Sequence, residues 1–331
     1  LVLIYKTLAL LLMVLGVWVG LDYQNALNQP LIEGQTITLE VTKGDSLARI
    51  TDKIQAQQIP LKPFWFKVLA WQNHSFNQLK TGEYELTSGL TMEQLLALLV
   101  SGKTKRYALT FPEGWSFQQM LAAIEQHPCL DHTLKNMGTT ELMAKLGASE
   151  AHPEGLFFPD TYFFEKHTSD FSILQRAYTK MQTVITQEWH EKSDPLPYKT
   201  PYEALIMASI VEKETGTAFE RPMIAGVFIR RLQQGMRLQT DPTVIYGLGA
   251  NYHGDITTKD LKTPSAYNTY LLNGLPPTPI ALPGREAIRA ALHPDTSDKL
   301  YFVARGDGSH VFSASLAEHN AAVDTYQRKQ K

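Results

Sequence analysis

Residues 204–216 read ALIMASIVEKETG. Within 204–211 the only polar side chain is Ser209, so the segment is apolar almost all round and predicts a core helix. Thr200 can N-cap it, Pro201 suits its first turn, and Glu203, three residues after Thr200, completes a capping box. Gly216 supplies the stop. Two carboxylates ride on the last turns. Glu212 continues the row Leu205, Ala208, Ser209 at i+3 and i+4 spacing, whereas Glu214 lies on another side, in line with Met207 and Val211. Carried on a buried helix, a carboxyl group is desolvated, which favours its neutral form and suits a general acid. The partial negative charge at the helix C-terminus pushes the same way. The plainer reading leaves both glutamates in solvent beside Lys213.

Downstream, a second helix is expected over 222–234, ending at Gly235, with Ile224, Val227, Phe228 and Leu232 on one side. Two loop segments follow, RLQTDPTVIYG (237–247) and TPSAYNTY (263–270), the latter leading into Asn273-Gly274-Leu275-Pro276-Pro277. Prolines stiffen such loops, and their amide, hydroxyl and aromatic side chains offer flat apolar faces with donors and acceptors, as a sugar site requires. Each could equally be a well-packed turn. The segment EGLFFPDTYFF (154–164) reads as a core strand with a Pro-Asp turn. Near the end, 300–304 and 311–313 predict a hairpin about Arg305-Gly306-Asp307-Gly308, and a closing helix starts near Ser315 with Glu318 completing a second capping box. Helical periodicity also marks 139–146 and 171–191, with a proline-bearing loop over 190–200.

Upstream, a strand, a glycine turn, a Ser/Thr cap and an apolar-striped helix recur loosely three times. The copies are 36–41 with Gly44, Ser46, Leu47, Ile50 and Ile54; 84–86 with Gly89, Thr91, Met92, Leu95 and Leu99; and 107–111 with Gly114, Ser116, Phe117, Met120 and Ile124. The pattern resembles the LysM-like modules that bind cell-wall glycan. Before it, residues 8–21 read LALLLMVLGVWVGL without a charge, and extension to Leu1 gives 21 residues, about 31 Å of helix, with Lys6 near one end. Trp18 and Tyr23 suit the opposite interface. No small-x-small cleavage site follows, so an uncleaved anchor is expected, its amino end cytoplasmic because no Lys or Arg follows Lys6 until Lys43. Polar residues 22–34, with Pro30 and Gly34, read as a tether.

Composition narrows the chemistry. The 331 residues carry 31 Lys+Arg against 33 Asp+Glu, and this near-neutral balance excludes a duplex nucleic-acid binder. At 44% hydrophobic and 19% charged residues the chain is globular, with room for roughly two domains. One cysteine, Cys129, excludes an intramolecular disulfide framework and a multi-thiolate zinc site. There is no phosphate loop, G-x-G-x-x-G, G-x-S-x-G or H-E-x-x-H; His127, Cys129, Asp131 and His132 are the one loose cluster of metal-ligand types. Neither a metal nor a cofactor is expected.

The motifs EGLFFPDTY (154–162), ASIVEKET (208–215), RLQTDPTVIYG (237–247), TPSAYNTY (263–270) and NGLPPTPI (273–280), in this order, resemble those of the YceG-like (MltG-type) endolytic murein transglycosylases. Thr278 stands where that pattern has Gly. The resemblance implies an α+β chain in four parts: a transmembrane anchor (1–21), a tether (22–34), a small LysM-like α/β module (35–105) and a larger mixed α+β catalytic domain (106–331). It implies a single-pass inner-membrane lyase whose catalytic domain faces the periplasm and cuts the MurNAc–GlcNAc bond of nascent peptidoglycan strands. Products would carry 1,6-anhydroMurNAc ends, and the cut would terminate strand elongation. Glu212 is then the acid/base. Gln239, Thr240, Asp241, Tyr246, Tyr267, Asn268 and Tyr270 are expected to position substrate, and peptidoglycan synthases (penicillin-binding proteins) to be partners. A muramidase recruiting Glu214, Glu220 or Asp241 as second carboxylate, or a non-catalytic wall-binding scaffold, are the alternatives.

Overall fold

A computed structural model of the chain describes residues 2–328; Leu1, at the start of the expected anchor, and 329–331, at the end of the expected catalytic domain, lie outside the described residues. Two compact units divide it, Leu1–Tyr107 with Phe163–His167, and Ala108–Tyr162 with Thr168–Lys331.

The first unit begins with α1 (Val2–Asn28), whose apolar side chains are exposed over the segment expected as an anchor and which is long and apolar enough to cross a membrane. Next come β1 (Ile37–Val41), α2 (Leu47–Ala56), α3 (Pro63–Gln72), β2 (Gly82–Leu86) and α4 (Met92–Ser101). β1 and β2 pair antiparallel, Ile37 opposite Leu86 through Val41 opposite Gly82. The two strands with α2, α3 and α4 enclose a core that includes Leu39, Ile50, Ile54, Phe66, Tyr84, Leu95 and Leu99. Residues 163–167 join this unit from far along the chain, Lys166 Nζ lying 2.8 Å and His167 Nε2 3.0 Å from the Glu40 carboxylate. Residues 22–34 are not the free tether that their polarity suggested. α1 continues through Asn28, Leu31 and Ile32 are buried, the Leu31 N–H donates to Leu90 O, and Ile32 O accepts from the Gly89 N–H.

β3 (Arg106–Thr110) leads to α5 (Phe117–Glu125), β4 (Leu130–Asp131), α6 (Thr139–Leu146), β5 (Thr161–Glu165), β6 (Thr168–Ser169) and α7 (Asp170–His190). The strand–turn–helix pattern is thus realised three times. Gly44, Gly89 and Gly114 take φ of 92°, 84° and 75°, and the hydroxyls of Ser46, Thr91 and Ser116 accept the N–H groups of Arg49, Gln94 and Gln119.

The second unit centres on α8 (Pro201–Glu214), in which every residue from Ala204 to Val211 is buried. The apolar circumference forces neighbours on all sides. These are α7, α9 (Arg221–Gln233), α10 (Asp241–Leu248) and α12 (Arg285–Leu292), with α11 (Thr258–Lys262) a single turn beside α10. β7 (Tyr301–Ala304) and β8 (His310–Ser313) form the hairpin, and α13 (Leu316–Val323) packs on it. At both expected capping boxes the hydroxyl half forms as expected, on Thr200 and Ser315. The carboxylate half is displaced by one residue: Glu203 accepts from the Lys199 N–H and Glu318 from the Ala314 N–H.

Candidate active site

Glu212 extends the buried row of Leu205, Ala208 and Ser209 on α8, and the segment 280–284 runs along that row. The Ile280 N–H donates to Ser209 Oγ (3.0 Å) and the Gly284 N–H to Glu212 Oε2 (2.9 Å). Between them, the Leu282 N–H donates to Trp115 O (2.7 Å) and Leu282 O accepts from the Gly114 N–H (2.9 Å). Lys213 Nζ closes the arrangement by donating to Gly114 O (3.2 Å). The turn 112–116 and the segment 280–284 are therefore fixed to the end of α8, with the Glu212 side chain only 6% exposed.

Two charged groups flank this carboxyl. Arg221 Nη2 lies 3.6 Å from Glu212 Oε1 and 3.9 Å from Glu113 Oε2. The Arg221 Nε is buried and has no hydrogen-bond partner among the described residues. Glu113 sits so close over Gly284 that a Cβ there would fall 1.9 Å from its Oε1. Burial pushes the Glu212 carboxyl above the usual carboxylate range and the Glu113 charge adds to the shift; the Gly284 N–H, Arg221 and Lys213 oppose it. A carboxyl group whose proton affinity is raised, held at one oxygen by a backbone N–H, is equipped to give a proton and take one back.

The residues expected to contact substrate fall into two further groups. Tyr246 and Tyr267 meet edge to face at 4.9 Å; the Tyr246 hydroxyl donates to Glu154 Oε2 (3.1 Å), and the Tyr267 hydroxyl is 2.9 Å from Thr278 Oγ1. Thr278, the departure from the family pattern, thus supplies the partner of Tyr267. Glu154 also accepts the Phe117 N–H at the start of α5 (2.8 Å), and burial pushes its carboxyl up to about 7.

Gln239, Asp241 and Tyr270, with Glu214, Arg231 and His310, line a cavity of about 520 Å³. There the Tyr270 hydroxyl donates to Asp241 Oδ1 (2.6 Å) and Arg231 Nη1 to Gln239 Oε1 (3.3 Å). Thr240 is buried and its hydroxyl donates to Glu214 Oε1; burial pushes the Glu214 carboxyl up to about 7.

Asn268 joins neither group. Fully buried, it gives its amide hydrogens to Leu261 O (3.1 Å) and Thr263 O (2.8 Å) and accepts the Tyr270 N–H (3.0 Å), so its side chain is spent on shaping the loop that carries the tyrosines. Glu220, considered as a second carboxylate, accepts from the His310 backbone N–H (2.8 Å) and lies 2.7 Å from His310 Nδ1 at the hairpin. His127 Nδ1 accepts the Cys129 N–H, and no group of three metal-ligand side chains converges among the described residues. Glu113, Arg221, Gly284 and the carboxyl of Glu154 were not singled out from sequence. For Glu113, a carboxylate immediately before the glycine of a repeat turn was the signal present.

Comparison with known proteins matches residues 39–325 to the YceG-like family. A Bacillus subtilis (strain 168) protein named endolytic murein transglycosylase is 31% identical over 312 residues, 88% of this chain and 85% of the relative. A Streptococcus pneumoniae (serotype 2) protein of the same name is 27% identical over 315 residues, 85% of this chain but 56% of the longer relative. The crystal structure of a yceG-like protein from Listeria monocytogenes superposes with a TM-score of 0.56 at 32% identity, over 87% of this chain and 99% of that one. With the family model matched over residues 39–325 and a 31%-identical relative covered over most of both lengths, the chain belongs to the YceG-like family.

Proposed function

We propose that the chain is an endolytic murein transglycosylase in which Glu212 is the general acid and then the general base. The observation that carries this reading is the Glu212 carboxyl itself, desolvated at the end of the core helix, oriented by the Gly284 N–H and raised above the usual carboxylate range. In the first step Glu212 protonates the glycosidic oxygen between MurNAc and GlcNAc as that bond breaks through an oxocarbenium-like transition state. The resulting carboxylate takes the proton of the muramic C6 hydroxyl as that oxygen closes on C1, which leaves a 1,6-anhydro end and returns Glu212 to its protonated form. No water is consumed. Arg221 stabilises the carboxylate between the two steps. Gln239, Asp241 and Tyr270 at the cavity, and Tyr246 and Tyr267 beside Glu154, are proposed to grip the glycan on either side.

In the same reading α1 anchors the chain in the cytoplasmic membrane, amino end inside, and the remainder works outside on nascent strands beside their synthases, terminating elongation. The strand–helix–helix–strand unit is proposed as a LysM-like wall-binding module; its topology and capped glycine turns support this. One observation favours a second reading. Glu113 faces Glu212 across Arg221 and offers a second carboxylate of the kind a hydrolase uses.

Mass spectrometry of glycan fragments released from sacculi separates the two. Transglycosylation gives products one water lighter than hydrolysis, and wholly hydrated reducing ends would establish the muramidase. Glu212→Gln should lower the cleavage rate by about a hundred- to ten-thousand-fold with substrate binding retained. Cleavage at the wild-type rate would remove Glu212 from the reaction.

A further inference from the structure

We propose that α3 lies flat in the headgroup interface of an anionic phospholipid membrane, its exposed aromatic face seating the first unit on the bilayer that α1 enters. This rests on α1 being a membrane anchor and adds to it a second, surface-lying element.

The placement follows from three observations. The apolar part of α1 ends at Leu21: from Val2 to there it measures about 30 Å, the thickness of a hydrocarbon core. Asp22 and Tyr23 therefore mark the headgroup level. Both ends of α3 meet the chain at this level. Lys62, the residue that precedes α3, donates to Asp22 Oδ1 (2.6 Å), while the Tyr23 hydroxyl donates to Gln72 at the helix's last position. The Trp65 indole N–H also donates to Asp22 (2.7 Å) and its ring packs 5.0 Å from that of Tyr23. A ten-residue helix, about 15 Å long, whose two ends reach adjacent residues of α1 runs across α1 rather than along it.

The third observation is the face that α3 leaves uncovered. Phe66, Leu69 and Ala70 are buried in the unit, whereas Phe64 is 66% and Trp71 69% exposed, two turns apart on the opposite side, with exposed Lys67 between them. Phe76, just beyond the helix, is 45% exposed. Large aromatics with a lysine among them, at the level where a spanning helix leaves the hydrocarbon, are the side chains that partition into the headgroup region. The stripe is also continuous with α1, because the Phe64 ring packs at 4.8 Å on Trp65, which in turn contacts Tyr23.

The test uses the full chain in nanodiscs of phosphatidylethanolamine and phosphatidylglycerol, with Cys129→Ser as background and one environment-sensitive NBD label at a time. Labels go at Phe64→Cys and Trp71→Cys, at Val14→Cys within α1, and at Ala48→Cys on the exposed side of α2. Positions 64 and 71 should be quenched by a nitroxide carried just below the lipid headgroups and protected from aqueous iodide, as position 14 is, while position 48 shows the reverse. If 64 and 71 behave like 48 while 14 stays lipid-quenched, the seating of α3 is refuted and the anchor stands. If position 14 is itself quenched by iodide, the anchor reading falls and the seating with it.

Discussion

Glu212 combines two opposing influences, and their balance sets the pH range in which it can act as an acid. Burial and the Glu113 charge favour the protonated carboxyl, while the Gly284 N–H and Arg221 favour the carboxylate. In the proposed reaction, protonation of the leaving oxygen requires the neutral form of Glu212, so activity should be present below its pKa and decline as pH rises through it. Glu113→Gln removes the raising charge and leaves Arg221 to Glu212 alone. Both changes lower the Glu212 pKa, and the alkaline limb of the kcat/KM profile should move toward lower pH. A limb in its wild-type position would show that Glu113 does not act on Glu212. Sequence periodicity placed Glu212 and Glu214 alike at the end of a buried helix, and only the family resemblance singled out Glu212; burial raises both carboxyls. Periodicity could not locate Glu113 or Arg221, since proximity across separate chain segments leaves no periodic trace. Nor could it separate Asn268 from its neighbours Tyr267 and Tyr270: an amide that feeds loop carbonyls and one that faces a sugar are the same residue type in the same loop.

Among the elements, the segment 280–284 is held to α8 by few bonds, and they reach the Glu212 carboxyl in series. Ser209 Oγ donates to Ile206 O and accepts the Ile280 N–H inside the core, four residues before the Gly284 N–H that orients Glu212. Ser209→Ala leaves the Ile280 N–H buried without its acceptor, which costs about 1–3 kcal/mol. For a domain of this size that is a fall in Tm of roughly 2–4 °C per kcal/mol, measurable by thermal unfolding of the detergent-solubilised protein. kcat should fall with it while KM changes little, because the displaced segment carries the Gly284 N–H rather than a substrate contact. Unchanged Tm and kcat would show that segment 280–284 is held without Ser209. Elements were legible in part: 237–247, expected as a loop, carries α10 (Asp241–Leu248), and within 154–164 the strand, β5, begins only after the Pro-Asp turn. The span expected at 171–191 is α7 at Asp170–His190, and 139–146 is α6. Residues 22–34 misled because Asp22 and Tyr23 look like linker composition, yet each finds a partner on α3 that only the folded unit supplies.

Across the whole molecule, stability should depend on pH through two carboxyl groups whose proton affinity the fold raises. Burial pushes both Glu154 and Glu214 from 4.5 up to about 7. An acid whose pKa is raised by folding binds its proton more tightly in the folded than in the unfolded chain. Its contribution is complete below the unfolded value and is lost as pH rises through the folded one, so stability falls between about pH 4.5 and 7. For Glu154, buried between the start of α5 and Tyr246, the loss is on the order of 3 kcal/mol across that window. The sign is opposite to that of salt-bridged carboxylates such as Asp45 beside Lys53, held down at about 2, whose contribution is lost only in strong acid. Glu154→Gln retains an acceptor for the Phe117 N–H and has no proton to lose. Tm measured from pH 5 to 8 should therefore decline less steeply in this variant than in the wild type, with the curves diverging as pH increases. Parallel curves would mean that Glu154 is already ionised in the folded protein, and the Tyr246–Glu154 bond would then be that of a phenol to a carboxylate. The variant's advantage should be largest near neutral pH, where the wild-type chain folds around a carboxyl group that solution would ionise.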